Sequence, residues 1–190
     1  AGKSVRKVSI VDPYTVATVA TGLTNPWDIA VDSSPQVAYV TDITRVHRLN
    51  LNTGEVTTIA GGTICLPTDT TCDGDGTAAK FTRLRGIALD TSSQVAYVVD
   101  TALHTIRKID LADPYKVTTF AGTSGTMCLD AATATPALDE VQTTCDDVGT
   151  AATFNNPVGI AIDTSRQLLY VTDTKHRNLR RIDIMTGQVT

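Results

Sequence analysis

The chain has 190 residues, 42% of them hydrophobic and 19% charged, so it can bury a core and its composition is not that of a disordered chain. Its formal net charge of −4 argues against general binding to nucleic acid, which needs clustered Lys and Arg. No apolar run approaches the ~20 residues that span a bilayer, and residues 1–6 lack the apolar core of a signal peptide. Frequent Thr, Val and Ile in short segments between Gly and Pro predict an all-β fold.

The first predicted elements are two strands, at residues 5–8 and 16–20. They match residues 106–109 and 117–121 further along the chain, where the same two strands close a longer unit. Residues 1–22 are therefore predicted to be the third and fourth strands of a unit whose first two strands are missing from this segment.

From residue 23 onward, a unit of four short strands repeats. Its first strand, at residues 27–32, recurs at 85–90 and 158–163, and each copy is followed ten residues after its Asp by a second Asp. A small sheet of this kind buries both faces only when a neighbour packs on either side. Four-stranded units stacked in series describe a β-propeller, and the sequence predicts two complete and two partial antiparallel blades. The predicted segments are 1–22 (partial blade), 23–62 (blade), 63–80 (disulfide loop insert), 81–122 (blade), 123–153 (disulfide loop insert) and 154–190 (blade lacking most of its last strand).

A third strand of the repeat is predicted at both ends of the chain, near Val5 and near Leu179. The two ends therefore overlap where a closed ring would need them to complement each other, which predicts a fragment of a longer repeat protein. Three arrangements stay open: a closed propeller within a longer chain, an open superhelix of blades, and separate chains that complete one another.

All four cysteines lie outside the repeated strands, in the inserts between the fourth strand of one blade and the first strand of the next. Cys65 and Cys72 flank one loop, and Cys128 and Cys145 flank the other. The first pair has six residues between its members and no nearby His, which fits a zinc site poorly, so we expect two local disulfides. Disulfides imply an oxidising compartment, which predicts an extracellular or cell-surface location.

Charged residues in the loops and strands allow further interpretations. Asp73 and Asp75 are candidate calcium ligands, although no bidentate Glu follows them and Asp-Gly is common in turns; no other cofactor is expected. The Asp that ends each first and second strand is interpreted as accepting backbone N–H groups in the following turn. The basic pairs Arg107-Lys108 and Arg180-Arg181 are interpreted as solvated strand faces.

The pattern of residues 154–163, followed by Tyr170-Val171-Thr172-Asp173 and Arg180-Arg181-Ile182-Asp183, resembles the NHL repeat, and the resemblance covers nearly the whole chain. It implies propeller blades. NHL-like propellers include protein- and RNA-binding domains, sensor ectodomains and a few metal-dependent enzymes, so the resemblance does not select a function. The family's His after the second strand is matched in register by His104, whereas His176 and His47 are displaced, which weakens a predicted ring of ligands.

The sequence thus predicts a non-catalytic extracellular module that acts in protein–protein or glycan interaction, or as a structural part of a cell-surface or fibre protein. Its expected partners are other proteins or further blades of the same or identical chains, including self-assembly into a filament, and neither nucleic acid nor a membrane span is expected. Trp27 and His104 are the candidate binding residues. Thr133 and Thr135, in a Thr- and Pro-rich stretch, are candidate O-glycosylation sites.

The alternative function is a metal-dependent propeller enzyme of the lyase or lactonase type, with an ion in the central channel. It requires His, Asp or Asn side chains from several blades to converge on one ion. No Ser–His–Asp spacing, phosphate-binding Gly loop or HExxH helix is found in the sequence. The expectation is therefore that the chain is not an enzyme.

Overall fold

The computed structural model of the protein describes residues 3–66, 68–127 and 145–190. Within these ranges, fourteen strands form four antiparallel sheets, here called the N-terminal hairpin and blades 1, 2 and 3. The hairpin consists of β1 (Lys3–Val8) and β2 (Val16–Leu23); blade 1 of β3 (Pro26–Asp32), β4 (Val37–Asp42), β5 (Arg45–Asn50) and β6 (Val56–Gly61); blade 2 of β7 (Gly74–Asp75), β8 (Leu84–Asp90), β9 (Val95–Asp100), β10 (Thr105–Asp110) and β11 (Lys116–Ala121); and blade 3 of β12 (Pro157–Asp163), β13 (Leu168–Asp173) and β14 (Asn178–Asp183).

The strands of each blade follow one another across the sheet, so neighbours in sequence are neighbours in space. Blade 1 has the order β3-β4-β5-β6, and blade 2 has β8-β9-β10-β11 with β7 added outside β11. The first strands β3, β8 and β12 of the three blades pack side by side. This is the arrangement of propeller blades, and it confirms the predicted all-β propeller fold.

The core lies between blades, and the second strands of blades 1 and 2 are buried on both faces. Every residue of β4 and of β9 is buried. Tyr39 and Val46 of blade 1 pack with Ile87 and Val98 of blade 2 in one cluster. Each fully buried side chain of this size contributes roughly 1.5–3 kcal/mol. Burial of side chains between blades therefore makes a large contribution to the stability of the fold.

Glycine is required where the fourth strand ends. Gly61 and Gly122 have φ of +80° and +93°, a region that L side chains rarely adopt. A Cβ at Gly61 would lie 2.2 Å from the Thr44 carbonyl oxygen and 2.6 Å from the Phe81 ring. The glycine thus lets Phe81, at the entrance to blade 2, approach the backbone of blade 1.

The segment predicted as the first loop insert contains a short strand that the sequence pattern did not reveal. Gly74 and Asp75 pair with Val117 and Lys116 at the outer edge of blade 2, and a short 3-10 helix, Gly76–Ala78, follows. In blade 3, Val148 bridges Gln188 in the same way. The chain returning from each insert therefore covers the edge of the next blade. None of the helices in the described ranges has the length and apolar character needed to cross a membrane.

Candidate functional site

The repeated aspartates form two sets with different roles. Asp32 and Asp90 of the first set accept backbone N–H groups in the following turn, as predicted, from Ser34 at 3.0 Å and Ser92 at 3.1 Å. Asp163 accepts the N–H of Arg166 at 3.1 Å in the same way.

Asp42, Asp100 and Asp173, the second set, are completely buried. The prediction missed their main partners, which precede the first strand of the same blade. Asp100 accepts the N–H groups of Thr82 and Arg83, both at 2.8 Å. Burial raises the pKa of Asp100, and these hydrogen bonds oppose that rise. These carboxylates thus link the end of the second strand to the segment that precedes the first strand of the same blade. Their role is structural.

Arg107 is buried within blade 2, so its predicted position on a solvated strand face is wrong. Its guanidinium donates to the carbonyl oxygens of Lys80 and Cys72, at 3.2 and 3.0 Å, and to the Asp73 carboxylate at 2.7 Å. Its Cζ lies 5.2 Å from the centre of the Phe81 ring. Arg107 therefore links the C-terminal end of the disulfide loop, at Cys72 and Asp73, to Lys80, which precedes blade 2.

Arg180 repeats this arrangement in blade 3, and its predicted solvated position is wrong for the same reason. It donates to the carbonyl oxygens of Thr153 and Cys145, at 3.1 and 2.9 Å, and to Asp146 at 2.6 Å. In blade 1, where no cysteine loop precedes the blade, the equivalent position on the third strand is His47. That ring bonds to Thr58 at 3.1 Å and lies 3.4 Å from Asp42.

The first cysteine pair is a disulfide between Cys65 and Cys72, seven positions apart in sequence. With Asp69, these residues form the one group of at least three His, Cys, Asp or Glu ligands that comes together in the described ranges. Because the two sulfurs are bonded to each other, the group offers a metal only the Asp69 carboxylate, which already pairs with Lys80 at 2.5 Å. Cys128, Thr133 and Thr135 lie outside the described residues, so the second disulfide and the glycosylation sites stay predictions.

The two candidate calcium ligands lie in different surroundings. Both Arg107 and Thr119 donate to the Oδ1 atom of Asp73, at 2.7 and 2.9 Å. Asp75 is exposed and belongs to β7. The charge of Asp73 is thus neutralised by Arg107, and calcium at this loop stays a prediction.

His104, a candidate binding residue, lies in the turn between β9 and β10 and is 8% exposed. Its Nδ1 accepts the backbone N–H of Asn156, in the segment that leads into blade 3, at 3.0 Å. Burial lowers the pKa of His104, the nearby Asp173 raises it and Lys175 lowers it. The neutral ring therefore serves the contact between blades 2 and 3.

Trp27, the other candidate, lies at the bulge that opens β3 and is 48% exposed. The Arg85 guanidinium lies 3.3 Å above the centre of its ring, a cation–π contact between the first strands of blades 1 and 2. Ile29 and Val31, two and four residues further along β3, are also exposed, at 41% and 54%. We call Trp27, Ile29 and Val31 the free blade face.

A groove of about 280 Å³ runs beside the free blade face, between β1 and β3. Trp27 and Ile29 line it from β3, and Ser4, Val5 and Arg6 line it from β1. In the described part of the chain, β1 pairs with β2 and leaves its other edge unpaired. The groove therefore combines an open strand edge with an apolar wall.

Part of the chain is similar in sequence to curated proteins. NHL repeat-containing protein 2 of Homo sapiens is 30% identical over 118 residues, which cover 62% of this chain and 14% of that protein. The protein of the same name from Gallus gallus is 31% identical over 60% of this chain and 14% of its own length. The chain thus matches only a small part of these relatives. No protein-family model matches it.

Solved structures share the fold. An auxiliary nutrient binding protein from Bacteroides thetaiotaomicron VPI-5482 superposes with a TM-score of 0.62 and 21% identity, over 88% of this chain and 40% of that one. A chain of a nidogen/laminin complex superposes with a TM-score of 0.58 and 15% identity, over 90% of this chain and 48% of that one. At these identities the likeness is one of fold. The solved structures show that the repeats of this chain fold as β-propeller blades, and the curated relatives show that about three fifths of the chain is similar to NHL repeat-containing protein 2.

Proposed function

We propose that the chain is a non-catalytic extracellular propeller module that binds a protein partner through its free blade face. The observation that carries the proposal is a difference between equivalent residues. Ile29 is 41% exposed, whereas Ile87, at the same position of blade 2, is 4% exposed because blade 1 covers it. Among the described residues, an apolar surface that a neighbouring blade covers in blade 2 is thus uncovered in blade 1.

The partner that fits is an antiparallel strand pair with one apolar face. One of its strands would hydrogen-bond to the unpaired edge of β1, and its apolar side chains would cover Trp27, Ile29 and Val31. This is the way blade 1 covers blade 2 within the chain. The strand pair belongs either to another protein or to a further blade of the same or an identical chain.

A non-catalytic role is supported by the use of the repeated carboxylates. Asp42 and Asp100 are occupied by backbone N–H groups, and Asp173 accepts the N–H of Asn155 in the same way. Asp173 also contacts His176 and Arg180, so its charge is paired within the protein. Acid–base catalysis needs one carboxyl group whose environment differs from the rest. The enzyme alternative makes a distinct prediction, because metal analysis of the purified chain would then find one tightly bound ion.

The extracellular location is supported by the Cys65–Cys72 disulfide, since reducing compartments rarely preserve such bonds. The fold also occurs in an auxiliary nutrient binding protein and in a chain of a nidogen/laminin complex. Alkylation of the protein from its native source, without reductant, should leave Cys65 and Cys72 unmodified.

Site-specific photo-crosslinking tests the partner surface. We expect p-benzoylphenylalanine at position 29 of the intact protein to form a covalent adduct with a macromolecule in its native setting. The same group at Asn52, an exposed turn residue on the same blade, is the control and should form none. Mass spectrometry of the adduct distinguishes a partner protein from an identical chain. Equal adducts at both positions, or none at position 29, would contradict the proposal.

A further inference from the structure

Arginine side chains border the free blade face, although the protein as a whole carries a formal net charge of −4. On the side of blade 2, Arg83 lies directly before β8 and Arg85 lies within it. The Arg85 guanidinium stacks on the Trp27 ring and so belongs to the border of the face. On the side of the hairpin, the exposed Arg6 lines the groove beside Trp27. The charge at this surface is thus opposite in sign to that of the whole chain.

Arg83 and Arg85 are neighbouring like charges, and neither forms an ion pair with any of the described residues. Burial lowers the pKa of Arg85, and the nearby Arg83 lowers it further. Arg107 and Arg180, by contrast, each bind an aspartate of the segment that covers the edge of their blade. A cation that is partly removed from water is stabilised by a counter-charge, so the pair favours an anionic group of a partner.

Asp28 is the acidic residue in the described lining of the groove, and its carboxylate is already occupied. Its Oδ1 accepts the backbone N–H of Ile29 at 2.9 Å, and its Oδ2 accepts that of Ile87 at 3.0 Å. The second bond runs from the covering blade to the first strand of the covered blade. A segment that covers blade 1 in the same way would bring its own acidic side chain to β3, close to Arg85.

The partner must cover apolar surface as well as neutralise charge. Trp27, Ile29 and Val31 are each between 41% and 54% exposed. An inorganic ion or a small acid would neutralise the arginines but leave these side chains in water. A protein segment with an apolar face and an acidic border satisfies both requirements.

A second copy of this chain does not offer such a segment among its described residues. The candidate surface is the outer side of blade 3, where Leu179 is 65% exposed while Ile106, its equivalent in blade 2, is covered. Arg181, two residues from Leu179 on the same strand, shares that face and is exposed without an ion pair. Docking of blade 3 on the free blade face would therefore bring like charges together.

We infer that the partner of the free blade face is a separate protein whose strand pair carries an Asp or Glu at the border of its apolar side, and that this carboxylate binds Arg83 and Arg85. The inference rests on the proposed function and adds the charge of the partner to it. The apolar contact supplies buried area, and the charge pair selects among partners that have a similar apolar face.

Photo-crosslinking from position 29 of the intact protein, combined with Arg83→Glu, tests the inference. Arg83 is exposed and makes no side-chain contact with the free blade face, so the change leaves the stack of Arg85 on Trp27 in place. We expect the adduct yield to fall about tenfold, because two acidic groups then face each other. Lys175→Glu, the same change of charge at an exposed turn of blade 3, is the matched control and should keep the yield within about twofold.

The ionic strength and the captured protein provide further measurements. In the protein without these substitutions, the yield should fall as NaCl is raised from about 50 to about 500 mM. Mass spectrometry should find an Asp or Glu beside the crosslinked residue of the partner, and its substitution by Arg should restore the yield with Arg83→Glu.

Two kinds of failure are distinguishable. An adduct that Arg83→Glu leaves unchanged, or a crosslink to an identical chain or within the same chain, overturns this inference and leaves the proposed function standing. No adduct at position 29 overturns both.

Discussion

Arg107 is enclosed by protein while its guanidinium holds three acceptors, so its loss leaves the Cys72 and Lys80 carbonyls and the Asp73 carboxylate without their donor. Burial lowers the pKa of Arg107, and the neighbouring Asp73 and Asp100 raise it. The neighbouring carboxylates thus stabilise the charged form of the buried arginine, and the arginine satisfies its acceptors.

We predict that Arg107→Met lowers the free energy of unfolding by about 3 kcal/mol, because buried acceptors and a carboxylate lose their partner. Lys108→Met, on the next residue of β10, is the control and should change it by less than about 0.5 kcal/mol. Urea unfolding followed by circular dichroism measures both. Equal losses in the two variants would show that Arg107 has no special role.

Removal of the Thr105 hydroxyl is expected to change the free energy of unfolding in the opposite direction. Because its buried hydroxyl has no partner in the described structure, Thr105→Val should raise the free energy of unfolding by about 1 kcal/mol. Thr105→Ser keeps the unmet hydroxyl and should give no gain. A loss of stability in Thr105→Val would show that the hydroxyl has a partner in solution.

His104 predicts a dependence of stability on pH. Burial holds its folded pKa below the unfolded value of about 6.5, so the folded state binds its proton less readily. The stability is therefore fully present above about pH 6.5 and falls as the pH drops toward the folded pKa. Protonation of Nδ1 also breaks the hydrogen bond from Asn156.

Urea unfolding at about pH 7.5 and about pH 5.5 measures the slope of the free energy of unfolding against pH. His104→Asn should reduce it, and Asn tolerates the left-handed backbone at this position, φ +58°. His47, whose pKa burial also lowers, accounts for a remaining slope in the same direction. An unchanged slope in His104→Asn would exclude His104 as the group responsible.

The burial of Arg107 and Arg180 was missed because both faces of a propeller strand are covered, so a basic residue does not mark the solvent side. A signal was nevertheless present. Cys72-Asp73 and Cys145-Asp146 each precede a blade with an Arg on its third strand, and blade 1, which lacks such a loop, has His47 there. A comparison of the repeats would have shown that this Arg occurs only in blades that follow a cysteine loop, which predicts a contact between the Arg and the loop.

At the scale of elements, the Cys65–Cys72 loop is held twice, by the disulfide and by Arg107. The loop-entropy model gives about 2.5 kcal/mol for a ring of this length, and we expect C65A/C72A to lose only about 1–2 kcal/mol because Arg107 still binds the Cys72 carbonyl. Combining it with Arg107→Met should cost more than the sum of the two changes. Urea unfolding of the three variants checks this, and simple additivity would contradict it.

The main strands of the blades could be predicted because each carries a repeated apolar pattern. β7 could not, because Gly74 and Asp75 have no pattern of their own and pair with β11, some forty residues further along the chain. The second set of aspartates was misassigned for a related reason. Their partners are backbone groups that only the folded sheet brings near, as with Asp100 and Thr82.

At the scale of the whole molecule, position in the series of blades determines the effect of a substitution. Ile29→Asp, on the free blade face, should change the free energy of unfolding by less than about 1 kcal/mol. Ile87→Asp, at the equivalent covered position, should lose more than about 3 kcal/mol because it buries a carboxylate. Thermal and urea unfolding measure the pair, and similar losses would show that both faces are covered in solution.

The sequence predicted the series of blades because the repeat itself is visible, but it could not show which apolar side chains lie open. Ile29, Ile87 and Ile160 are identical residues at equivalent positions. Their exposure differs because blade 1 covers Ile87 and blade 2 covers Ile160, whereas Ile29 has only the hairpin beside it. Such differences arise from neighbours, not from local sequence.

The strand β7 also changes where one structural module ends and the next begins. Residues from the connecting loop complete the outer edge of blade 2 and supply the acceptors for its buried arginine. A copy of blade 2 that began at β8 would lose that edge, and the buried positive charge of Arg107 would have no partner. The piece that could be duplicated or transplanted intact therefore begins at Cys65 and ends near Gly122, so duplication of this fold has to copy linker and sheet together.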